Sequence, residues 1–183
     1  MRIPLYAIGL SAAFGIGAAA FAQGLTERAS QIDWNAVRAD VESGATAQHD
    51  ALRSFRAANT GNLDAINVPV LVPGIGPVRA APEIKGQKTA YAAVYSLPAA
   101  TLSVQGSSVS LVPPNPETFA AAAGGSTGRV FDRSDDGADL SFTKYGAAYV
   151  LSLSCVRPDD ERCTNQSFLN SVADSLIPIG GKE

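Results

Sequence analysis

The first 22 residues decide which part of this chain folds, and where. Arg2 is followed by an uncharged run from Ile3 to Phe21, which closes on Ala20-Phe21-Ala22 before Gln23. A short positive start, an apolar stretch and a small-x-small ending form an export signal cut by a signal peptidase. No cysteine lies near that point, so a lipid anchor is not indicated. As an uncleaved anchor the run would be about long enough to span a bilayer. Its Gly and Ala residues dilute its hydrophobicity, and the cleavage pattern is good. The sequence therefore predicts removal after Ala22 and a periplasmic or secreted mature chain, with no membrane span after cleavage. Residues 23–62 read as an N-terminal helical segment. Residues 63–183 read as an α+β region packed with it into one domain, a length that supports a real core.

Export also fixes the reading of Cys155 and Cys163, the two cysteines of the chain. In an oxidising compartment they pair most simply with each other. The polar Val156–Arg162 loop between them contains Pro158 and can turn the chain back. A redox pair would favour two intervening residues, and a zinc site would need further soft ligands, where the chain offers one histidine. The net charge of −3 grows by one negative unit when Arg2 is removed. That balance speaks against a nucleic-acid binder, which needs a basic face, and against an anionic membrane surface as main partner.

Along the mature chain, Trp34, Val37, Val41, Ala45, Leu52 and Phe55 form an apolar stripe and predict helix over Leu25 to Ala58, capped by Ser30 or Asp33. Ser43-Gly44 interrupts it. From Ile66 to Pro77 strand-like residues are broken by prolines, which places them at an edge or in an extended segment. If Val68, Val70 and Leu71 are exposed there, they form a contact for an envelope protein or for a second copy. The competing reading packs them along their own domain. Thr89–Tyr95, Ala100–Val104 and Ser108–Val112 read as strands, with a hairpin turn at Gln105-Gly106-Ser107 that sets Leu102 opposite Val109. Val130-Phe131 and Leu140–Phe142 flank a turn at Ser134–Gly137, and Tyr145–Ser154 is the strongest strand. A final helix carries Phe168, Leu169, Val172 and Leu176, ended by Pro178 and Gly180-Gly181. The fold class is α+β: an antiparallel sheet of about five to six strands, an N-terminal and a C-terminal helix, and one disulfide.

Two stretches repeat the pattern Thr-x-Tyr-x-Ala-x-Tyr, Thr89–Tyr95 and Thr143–Tyr149. With a two-residue period each sets its tyrosines on one face. Tyr91, Tyr95, Tyr145 and Tyr149 are thus candidates for binding a small ligand by ring stacking, against plain packing at a sheet–helix boundary. Other motifs are weaker. Gly124–Gly128 spells G-x-S-x-G around Ser126, but a helix-prone stretch precedes it and a strand follows, the reverse of a nucleophile elbow. His49 stands alone. Asp132, Asp135, Asp136 and Asp139 cluster at a turn without the spacing of a calcium loop. No metal, cofactor or catalytic group is expected. The leading reading is a non-catalytic exported protein that binds or scaffolds an envelope partner. A small-ligand binder using the tyrosine face is the alternative, and a hydrolase comes third.

Overall fold

The computed structural model describes residues 26–43, 63–74, 82–112 and 128–182. In chain order the elements are β1 (Thr26–Ala29), α1 (Trp34–Ser43), β2 (Val70–Pro73), β3 (Glu83–Gln87), β4 (Ala90–Leu97), β5 (Ala100–Ser107), β6 (Val109–Val112), β7 (Val130–Arg133), β8 (Gly137–Lys144), β9 (Ala147–Cys155), α2 (Glu161–Thr164), α3 (Ser167–Asp174) and β10 (Leu176–Gly180). Six strands form one antiparallel sheet in the order β3-β4-β5-β9-β8-β7. With its helices and the Cys155–Cys163 disulfide this is an α+β fold.

Alternation along the strands makes the sheet one-sided. Tyr91, Ala93 and Tyr95, then Leu102 and Val104, Leu140 and Phe142, and Tyr149, Leu151 and Leu153 all point to one buried face. The opposite face carries exposed Thr101, Gln105, Asp139 and Ser154, as an antiparallel sheet with one wet face requires. Two layers of chain cover the apolar face. One is the ribbon of β2 paired with β10, and the other is α2 with α3, whose Leu169, Val172 and Ala173 are buried. Val37 of α1 is buried as α1 packs against β10. Asp33 caps this helix, its carboxylate accepting from the Ala36 N–H at 3.0 Å.

Several expectations are corrected. Gln105-Gly106-Ser107 is not a turn: β5 runs straight through it, and Leu102 pairs with Tyr95 and Leu153 rather than Val109. Gly106 is there for space, because a Cβ on it would lie 2.4 Å from the Tyr91 ring and 2.8 Å from the Tyr149 ring. The turn falls instead at Pro98-Ala99, where Ala99 has φ of 56°. Tyr145 belongs to a turn rather than a strand. Tyr145 and Gly146 have φ of 53° and 83° and join Lys144 to its partner Ala147, the two positive values a type I′ hairpin needs. Thr26–Ala29 is a strand because β6 offers it a ladder, Thr26 opposite Val112 through Ala29 opposite Val109. Such pairing overrides local helix preference. The last helix stops at Asp174, and Leu176, Pro178 and Gly180 belong to β10. The remainder of the predicted N-terminal helix, with His49, lies outside the described residues, as does Ser126.

The disulfide ties the end of β9 to α2, and both cysteines are buried. Beside it, Asp160 caps α2 and grips Arg162 through two contacts of 2.9 and 2.6 Å, while Arg162 also donates to the Pro98 carbonyl at 3.0 Å. The bonds from the Arg162 side chain and backbone N–H hold the Asp160 carboxyl down at about 2. Replacing Cys155 by Ser should lower unfolding stability by roughly 2–3 kcal/mol, the chain-entropy value for so short a loop, read by denaturant titration. Asp160→Asn keeps a capping group but loses the charge. A depressed carboxyl contributes fully above its unfolded value near ~3.9 and loses its contribution as pH falls toward the folded value. The melting-temperature deficit of this variant should therefore be full at pH 5 to 7, shrink steeply between pH 4 and pH 2, and vanish only below the folded value.

Candidate functional site

The sequence-predicted tyrosine face exists, but its occupant is the protein's own chain. The Tyr91 hydroxyl accepts from the Leu71 N–H at 2.8 Å and lies 3.4 Å from the Leu71 carbonyl. The Tyr149 hydroxyl donates to the Pro69 carbonyl at 2.9 Å. Pro178 stands opposite Leu71 in the β2–β10 ladder, and it has no N–H to give. The Leu71 carbonyl therefore gets no donor from Pro178, and the Tyr91 hydroxyl below serves both it and the Leu71 N–H. Burial pushes the Tyr91 and Tyr149 hydroxyls upward, so both stay neutral donors. Tyr95 is buried beside them, and its hydroxyl has no hydrogen-bond partner among the described residues.

This geometry corrects the contact-surface expectation. Val68, Val70 and Leu71 are all fully buried inside the chain and present nothing to a partner. The two tyrosine motifs are not equivalent either. Tyr91 and Tyr149 flank Gly106 from the two neighbouring strands, whereas Tyr145 sits on the β8–β9 turn. Three of the four tyrosines are packing and anchoring groups.

Tyr145, half-buried, leads to a different place. Its hydroxyl donates to the Asp40 carboxylate of α1, and burial followed by that bond raises its ionisation well above the ordinary tyrosine value. Over its ring, at 5.1 Å, lies the Lys144 ammonium, which donates to the Leu176 carbonyl at 3.0 Å. Burial lowers the Lys144 value, and the Arg129 charge adds to this against the opposing pull of Asp40 and Asp174. Arg129 reaches the same point from ahead of β7. Its guanidinium lies 5.9 Å above the Phe142 ring, and bonds Asn170 at 3.2 Å and Asp174 at 2.6 Å. Phe142 in turn stacks on Tyr149 with centroids 5.6 Å apart.

Between these groups opens a cleft of about 300 Å³, lined by Arg129, Phe142, Thr143, Lys144, Ala173 and Asp174. Two cations backed by aromatic rings converge on it, Lys144 from the end of β8 and Arg129 from the residue before β7. Rings stabilise such cations without neutralising them. A perturbed lysine in a cleft marks a candidate site on physical grounds. Sequence reasoning missed it because its members are scattered from Asp40 to Asp174. The one available clue was Lys144 beside Tyr145. A second groove, about 360 Å³, runs between α1 and β10; Trp34, Val37, Val41, Pro178 and Ile179 make its walls mainly apolar, and Arg38, Glu42 and Lys182 border it.

Among the described residues no group of His, Cys, Asp and Glu could hold a metal. Asp132, Asp135, Asp136 and Asp139 follow the β7–β8 hairpin, where Asp132 and Asp139 are cross-strand partners. No helix among the described residues is long and apolar enough to cross a membrane. Comparison with family models, with curated proteins and with solved structures finds no match.

The anchoring role separates the three buried tyrosines by experiment. Tyr149→Phe should cost about 1 kcal/mol or somewhat more in denaturant unfolding, because the Pro69 carbonyl loses its donor in a buried setting. Tyr95→Phe should be neutral or stabilising, since it removes a hydroxyl without a partner among the described residues.

Proposed function

We propose that this is a non-catalytic binding protein, exported through its N-terminal segment, whose ligand is a small polar molecule held in the Arg129–Lys144 cleft. The observation that carries the reading is the convergence of two part-buried cations on one concavity. Keeping charged groups partly out of water costs free energy, and ligand contacts can offset that cost. Each end of the cleft is rigidly based. Lys144 borders a tight hairpin turn, and Arg129 is tied to α3 through Asn170 and Asp174. The buried disulfide agrees with life in an oxidising compartment. The envelope-partner reading rested on an exposed Ile66–Pro77 segment, and the burial of Val68, Val70 and Leu71 removes its motive.

The test is a nitrogen–proton NMR screen of the mature chain against small carboxylates, phosphates, amines and neutral amides. Amide shifts should gather at Arg129, Phe142–Lys144 and Ala173–Asp174. Lys144→Met should weaken the responding compound at least tenfold while leaving the melting temperature within a few degrees. Loss of one charged hydrogen bond, worth about 1.5–3 kcal/mol, sets that factor. Silence across the panel, or shifts confined to the α1–β10 groove, would overturn the reading.

A further inference from the structure

We propose that the ligand of this cleft carries a carboxylate, and that Asp174 occupies the ligand's place on Arg129 until it arrives. The proposal rests on the cleft being a binding site and names its chemistry.

Lys144 has three N–H donors. One serves the Leu176 carbonyl, and among the described residues the others have no acceptor. They border the cleft, where an incoming oxygen would meet them. Arg129 is a planar fork suited to a carboxylate, and it already holds one, Asp174, at 2.6 Å. The hold on Asp174 is weak for three reasons. Its side chain is 68% exposed, where water screens the pair. It is the last residue of α3, where the helix dipole disfavours a negative charge. Its removal still leaves Arg129 fixed to Asn170 at 3.2 Å.

The charge count selects the class of anion. Among the described residues, the charged groups facing the cleft or its rim are Arg129 and Lys144 against Asp174 and Asp40, a balanced set. Asp40 stays bound to the Tyr145 hydroxyl. When Asp174 swings out, the remaining three charges sum to one positive unit, which matches a singly charged carboxylate better than a phosphate dianion. Phe142, held between Arg129 and Tyr149, adds an apolar edge to the lining of the cleft.

The experiment titrates acetate and benzoate, inorganic phosphate, and the neutral analogues acetamide and benzamide into the mature protein and its Asp174→Asn variant. Shifts of the Thr143, Lys144 and Ala173 amides are read at constant ionic strength. The expected result is saturable binding of the carboxylates and none of the amides. Asp174→Asn should then tighten carboxylate binding about two- to fivefold, the range for releasing one exposed ion pair, with the melting temperature unchanged. Equal response to carboxylate and amide, preference for phosphate, or no gain in the variant would sink the carboxylate proposal and leave the cleft a binding site. Absence of every shift, in protein and variant alike, would remove both.

Discussion

Everything above the sheet depends on how the backbone of residues 69–71 is satisfied. A two-stranded ribbon laid on an apolar sheet face buries N–H and C=O groups that no neighbouring strand can serve, and such groups are costly when unpaired. Here the hydroxyls of Tyr91 and Tyr149 rise from the sheet and serve them. The rings need room, and Gly106 between them provides it. The ribbon can then bring Val68, Val70 and Leu71 down as core while β10 returns alongside. Polar tips on apolar rings let one residue type do both tasks.

Fixing the ribbon also fixes the cleft. β10 begins at Leu176, and its carbonyl receives the Lys144 ammonium from the β8–β9 turn. The same turn meets the N-terminal chain, with the Asp33 N–H donating to the Tyr145 carbonyl at 2.9 Å. From there α1 carries Asp40 to the Tyr145 hydroxyl. Three segments far apart in sequence thus meet at one hairpin. The charges gathered there follow from how the core is closed, since Phe142 contributes its ring both to the Tyr149 stack and to the wall under Arg129.

Where the sequence misled, a side chain was doing a tertiary task that looked like a local one. Gly106 resembles a turn glycine, yet it makes space between rings. Tyr145 fits a strand by alternation, yet it adopts a positive φ beside Gly146 because Lys144 and Ala147 must pair. The broken apolar run at Ile66–Pro77 resembles an exposed contact. Its described part, β2, does lie outside the main sheet, but nothing local reveals that two distant hydroxyls will cap it.

By itself the sequence determined the α+β class, the alternating strands of an antiparallel sheet, the apolar face of the last helix and the pairing of Cys155 with Cys163. Those features rest on periodicity and on short-range spacing, which a chain carries whatever its partners. The tertiary structure alone decided the strand order, the burial of Val68, Val70 and Leu71, the anchoring use of the tyrosines, and the meeting of Arg129 with Lys144. Each of these depends on which residues close a loop through space, and long-range closure leaves no periodic trace in the residues that it joins.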